Sequence, residues 1–143
     1  MVCKRIPSYI GWHMQWTGWA LVALGVWLMG APFALGYSAI VAAVINDGAF
    51  GVLIAGLAAY SMVAPRRVAE AFTWLATVAG LWVAYAPFLL GYTVWQGADL
   101  GASGTPYFAD YPVPAIINDV VVGCSVVILG LMRAVAFRAP SRV

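Results

Sequence analysis

The sequence predicts an all-α membrane protein: one membrane domain over residues 1–143, built from four transmembrane helices in two tandem, parallel helix hairpins. Three observations carry this. Of the 143 residues 64% are hydrophobic and only 8% are charged, whereas a soluble domain carries about 25% charged residues. Mean hydropathy is +0.93. The chain also repeats itself. Trp19-x5-Gly25-x-Trp27-x3-Ala31-Pro32-Phe33-x-Leu35-Gly36-Tyr37 returns, with no gap and 55 residues later, as Trp74-x5-Gly80-x-Trp82-x3-Ala86-Pro87-Phe88-x-Leu90-Gly91-Tyr92. Nine identities in register, in a chain with 7 Trp and 8 Pro, define an internal repeat, and the repeat sets the architecture. Repeat 1 spans 14–67 and repeat 2 spans 68–138, each with two helices.

The elements follow in order. Residues 1–13 form a short polar lead, read as retained rather than cleaved. Lys4 and Arg5 resemble the start of a signal, but the apolar run behind them continues into the first repeat. Trp12, His13 and Trp16 stand where that run begins, the place of an interfacial aromatic belt. Met14 to Ile45 contains no charged residue, which is too long for one span of about 20 residues. Pro32, Phe33 and Gly36 are therefore read as a helix-breaking turn, since proline removes an amide donor and clashes with the preceding turn. Helix 1 is placed at about 15–30 and helix 2 at about 39–64, ended by Pro65-Arg66-Arg67. Helix 3 is placed at about 68–85, with Glu70 in its first turn, where the helix dipole favours a carboxylate. Pro87, Phe88 and Gly91 repeat the turn. Residues 93–114 make one long polar loop, and helix 4 runs from about Pro114, suited to a first helical position, to Phe137.

A second match ties the halves together. Ile45-Asn46-Asp47 and Gly51 recur as Ile117-Asn118-Asp119 and Gly123, and Arg66 as Arg138, all 72 residues on. In each copy the Asp and the Arg are 19 residues apart, about 28 Å along a helix, close to the roughly 30 Å of hydrocarbon. Lys4, Arg5, Arg66, Arg67, Arg138 and Arg142 all fall on one side of the predicted spans, with Arg133 a turn or so inside. The positive-inside rule makes that side, and both termini, cytoplasmic. The repeats then share one sense and are related by an axis near the membrane normal.

A Trp, a Gly-x-Trp, a Pro-centred tripeptide before x-Leu-Gly-Tyr, and an Asn opening the second helix resemble the SPW-repeat membrane proteins of bacteria. The hallmark tripeptide appears here as Ala31-Pro32-Phe33 and Ala86-Pro87-Phe88. The resemblance covers residues 14–137. It implies two helix pairs and a bacterial inner membrane, and it brings no established activity and no catalytic residues.

The repeated polar pairs Asn46-Asp47 and Asn118-Asp119 are the leading site candidates. Ionisable groups inside a span often mark a pathway or a contact. Equally, Asn and Asp satisfy free amides at helix starts, and a structural device is copied with its repeat. His13, the one histidine, can ligate a ring metal through an imidazole nitrogen or serve in the belt. Trp19, Trp27, Trp74 and Trp82 recur at i, i+8, suited to packing between helices or against a partner. Trp95, Tyr107, Phe108 and Tyr111 in the long loop suit a protein contact. Cys124 reads as a small buried packing residue, not paired with Cys3. Arg133 reads as a snorkelling residue near the inner interface. No metal-ligand spacing, nucleophile–base pair or phosphate loop occurs, and a net charge of +2 does not point to nucleic acid.

These features favour a non-catalytic accessory or scaffold subunit of a larger inner-membrane complex, respiratory or photosynthetic, with other membrane subunits and lipids as partners. No intrinsic cofactor is expected, though contact with lipid, quinone or pigment in such a complex fits. A homo-oligomeric transporter or channel using Asp47 and Asp119 is the alternative. A redox enzyme using Cys3 or Cys124 is a third.

Overall fold

The computed structural model describes residues 8–90 and 113–138, with side chains from residue 15 onward. Four helices account for nearly all of them: α1 (Ser8–Ala34), α2 (Val41–Val63), α3 (Arg66–Leu89) and α4 (Val113–Arg138). No strand occurs among the described residues. Each helix contains a stretch long and apolar enough to cross a bilayer, with window hydropathies from 1.4 to 2.3. A backbone in hydrocarbon must satisfy its own hydrogen bonds, and a helix does so within one segment. The protein is thus a multi-pass membrane protein.

The prolines do not end their helices. Pro32 lies inside α1 and Pro87 inside α3, so Phe33 and Phe88 are helical as well, and the helix-breaking reading of these four residues is corrected. Proline costs most in a helix interior, where it strips an amide from the ladder. Here each proline enters only the last turn, and the ladder resumes beyond it: Leu35 N–H donates to the Ala31 carbonyl and Leu90 N–H to the Ala86 carbonyl, both at 2.8 Å. What stops α1 is Gly36, whose φ of +79° is the left-handed conformation that glycine adopts without strain. Gly91, its counterpart, lies outside the described residues. Between α2 and α3 the turn is two residues. Ala64 is extended (ψ 155°), as a residue before proline must be, and Pro65 leads directly into α3.

Neighbours in sequence are neighbours in space. The order α1, α2, α3, α4 closes into a ring, because α4 returns to pack on α1. The tightest seams lie within α1–α2 and α3–α4. At the first, a Cβ added to Gly25 would stand 2.7 Å from the Gly51 carbonyl oxygen and 2.7 Å from the Ala55 amide nitrogen. At the second, a Cβ on Gly123 would stand 2.6 Å from the Gly80 oxygen. Glycine lets the backbones touch there, the usual device where lipid supplies no hydrophobic drive for helix association. The central core draws on all four helices: Leu21 and Leu28, Ile54 and Ala58, Ala79 and Val83, Val122 and Val126.

The ends of the bundle differ. One carries Arg66, Arg67, Glu70 and Arg138. There Arg138 pairs with Glu70 at 3.1 Å and lies over the Trp74 ring, while Arg66 donates to the Phe137 carbonyl. Glu70 thus serves as an ion-pair partner rather than as a first-turn residue of α3. Arg133 does not snorkel. It is 3% exposed, donates to the Ser61 carbonyl at 3.3 Å and stacks over Phe137. The bare backbone of Gly18 makes the room, since a Cβ there would collide with the guanidinium. At the other end a small cluster of Ala31, Tyr37, Ala43 and Ala115 closes over the residues described next.

Candidate functional site

The α2 sequence puts Asn46 and Asp47 in its second turn, past any capping position. Ile40 is the residue before the helix, and it makes no side-chain cap. Asn118 and Asp119 occupy the same place in α4. Both carboxyls are wholly buried, at 0% exposure, and both asparagines nearly so. Neither pair caps a helix; both point into the ring. Burying polar groups in apolar surroundings is tolerated only when they are hydrogen-bonded, and the bonds are present.

They form one connected network. The Trp27 indole N–H of α1 donates to Asn118 Oδ1 at 3.0 Å. The Trp82 indole N–H of α3 donates to Asn46 Oδ1 at 3.1 Å. These two bonds join positions that match in the sequence repeat, and each crosses from one helix pair to the other. Each asparagine amide then reaches back to the following carboxyl, Asn46 Nδ2 to Asp47 Oδ1 and Asn118 Nδ2 to Asp119 Oδ1, both at 3.3 Å. The Tyr37 hydroxyl knits the halves. It donates to Asp47 Oδ2 at 2.9 Å and accepts from Asn118 Nδ2 at 3.0 Å. Burial, and then the adjacent Asp47 carboxyl, raise the Tyr37 phenol above its ordinary value, which keeps it a donor. The Asp47 and Asp119 carboxyls come within hydrogen-bonding reach of each other. One oxygen, Asp119 Oδ2, is buried with no donor among the described residues. Tyr92, the sequence counterpart of Tyr37, lies outside them.

The structure brings together the four residues that sequence singled out, Asn46, Asp47, Asn118 and Asp119. It adds three that sequence did not assign to them. Their spacing suits Trp27 and Trp82 to packing between helices or against a partner, and Tyr37 stands in the sequence only as the end of the repeat motif. The available signal was their shared recurrence: an indole, a phenol and an Asn-Asp pair repeat as a set. The other tryptophans go elsewhere. Trp19 is 61% exposed on the outer face, and Trp74 meets Arg138. Phe33 and Phe88 are exposed. Cys124 is exposed too, not the buried packing residue expected. The side chain of His13 and the loop residues Trp95, Tyr107, Phe108 and Tyr111 lie outside the described residues.

Chemically the site is a connected set of buried donors and acceptors in which one acceptor, Asp119 Oδ2, is left over among the described residues. Three other buried hydroxyls are committed to backbone: Ser61 to the Ala58 carbonyl, Thr73 to Ala69 and Thr77 to Thr73. Among the described residues no group of three or more His, Cys, Asp or Glu is placed to hold a metal ion. Beside Asn118 an open groove of about 350 Å³ runs between Trp27 and Leu35 on one side and Pro114, Ile117 and Val121 on the other. Its walls are almost wholly apolar.

Comparison with known families matches the SPW repeat domain to residues 15–133. Comparison with curated proteins and with solved structures gave no match.

Proposed function

The chain belongs to the SPW repeat family, and on that footing we propose that it is a non-catalytic subunit that stabilises a larger complex in a bacterial inner membrane. One observation carries the reading. The buried polar side chains of the spans are tied to one another or to backbone carbonyls, and the outer faces of all four helices are largely apolar. Trp19, Val26, Phe33, Ile45, Val63 and Val135 all stand more than half exposed. Such a surface suits lipid and neighbouring membrane subunits. A rigid ring with its polarity sealed inside is a body that fills and braces. In this reading the termini and the arginine-rich end face the cytoplasm, and the long loop 93–114 faces the opposite side as a partner contact. The chain needs no cofactor of its own, and its groove beside Trp27 gives an acyl chain, a quinone tail or a pigment a place to rest.

The transporter reading draws on the same two carboxyls. It fares less well because Asp47 and Asp119 face the interior of one bundle. A pore formed between copies of the chain would be lined by outer faces, where neither carboxyl lies.

The test is purification in mild detergent from the native membrane, with mass spectrometry and an absorption spectrum of one fraction. Stoichiometric partner proteins are the expected outcome. A defined homo-oligomer with no partner, conducting ions in liposomes, would replace this reading with the transporter.

A further inference from the structure

We propose that Asp47 and Asp119 form a proton-binding site in the membrane interior, with one proton held between the two carboxyls. The proposal goes beyond the accessory-subunit reading and does not depend on it. Three independent features of the geometry meet here. First, both side chains are fully buried, and they face each other within hydrogen-bonding reach. Two ionised carboxylates have acceptors only, so a hydrogen bond between them exists only if one carries a proton. Second, the donors of the network are already allocated. Tyr37 serves Asp47 Oδ2, and each asparagine serves the Oδ1 of its own neighbour. Asp119 Oδ2 is left without a donor among the described residues. A shared proton supplies the missing one.

Third, no positive charge among the described residues faces the pair. The groups that α1 and α3 present to it are the neutral indoles of Trp27 and Trp82, and the α1–α2 connection presents the neutral phenol of Tyr37. The described basic residues, Arg66, Arg67, Arg133 and Arg138, lie at or toward the other end, where Arg66 meets Phe137, Arg133 meets Ser61 and Arg138 meets Glu70. Two like charges in contact, in low dielectric and with no counter-charge, are strongly disfavoured. A proton between them removes one of the charges without requiring any other group to move.

The experiment is infrared spectroscopy of the purified protein in lipid, following the carbonyl stretch of protonated carboxylic acid. Spectra are taken from neutral to alkaline pH, in sodium and in potassium buffers. The native protein is expected to keep a protonated-acid band at neutral pH, equal in the two salts. Asp119→Asn replaces the proton with an amide donor of the same shape. The band is then expected to vanish while the helical spectrum stays unchanged. Asp47→Asn is expected to do the same.

The native spectrum tests the proposal even if a variant fails to fold. A native protein with no such band at neutral pH overturns it, and a donor from outside the described residues would then serve Asp119. A band that survives Asp119→Asn overturns the sharing, because Asp47 would hold its proton alone. A band that sodium abolishes overturns it in favour of a bound cation. Stoichiometric partners in the native purification would leave each of these outcomes as it stands.

Discussion

Trp27 and Trp82 do at this site what their spacing alone does not announce. An indole has one donor and no acceptor, so a tryptophan half in lipid and half in the bundle spends its polar edge once. Both spend it on the asparagine of the opposite helix pair, at 3.0 and 3.1 Å. Interhelical hydrogen bonds in membranes are modest, about 0.6 kcal/mol on average, because the separated helices also find partners. We expect Trp27→Phe and Trp82→Phe each to lower stability by about 1 kcal/mol, the lost bond plus part of the cost of an unsatisfied amide oxygen. The two share the Tyr37–Asp47–Asn118 network, so the double variant should depart from additivity. Unfolding in a detergent titration, run as a double-mutant cycle, measures this. Strict additivity would mean that the network is not connected as drawn. At this scale the sequence exposed the right four polar residues through their recurrence at a spacing of 72. It marked their partners only as residues that recur too, not as bonded to them, because the bonds from Trp27 and Trp82 join residues 91 and 36 apart, and no local pattern encodes such a pairing.

At the scale of the element, hydropathy located every helix and misjudged their ends. The expected turn at Pro32 rested on what proline does in a helix interior. A proline in the last turn breaks little, and the conformation of Gly36 decides the stop. The same contrast separates glycines that matter from glycines that do not. Gly25 and Gly51 face each other across the α1–α2 seam, and Gly80 and Gly123 across α3–α4, with the facing backbone among the obstructing atoms. Gly48, by contrast, has open space where a Cβ would stand. Gly51→Ala and Gly123→Ala are therefore expected to push the helices apart and cost about 1–3 kcal/mol each, as overpacking does. Gly48→Ala should be neutral or slightly stabilising, because alanine is the better helix former. Thermal unfolding of the three variants in one detergent decides it. An equal loss at Gly48 would show that helix propensity, not contact, governs these positions. Sequence marks all of them only as small residues; the neighbour across the seam makes the difference.

For the whole molecule, composition and hydropathy were enough to predict four membrane helices, since the bilayer admits few alternatives. The buried location of Arg133 and the exposed location of Cys124 were not legible, because both depend on which helix face meets a neighbour, and apolar residues cover every face. The ends of the bundle remain the strongest clue to its orientation. All described arginines lie at or toward one end, on the α2–α3 turn and the last turns of α4, and the α1–α2 connection carries no charge. Moving cationic side chains across a membrane is costly, and that cost, applied as the chain inserts, fixes which loops stay behind. We therefore expect the α2–α3 turn to be cytoplasmic. After Cys3 and Cys124 are replaced by serine, a single cysteine at Ser38, which is exposed in the α1–α2 connection, should react with a membrane-impermeant maleimide added outside intact spheroplasts. One at Arg67, exposed near the α2–α3 turn, should react only after the membrane is opened. The reverse pattern would place the arginine-rich end outside. It would also move the face offered to partners, since the loop between α3 and α4 leaves the bundle at the same end as the α1–α2 connection.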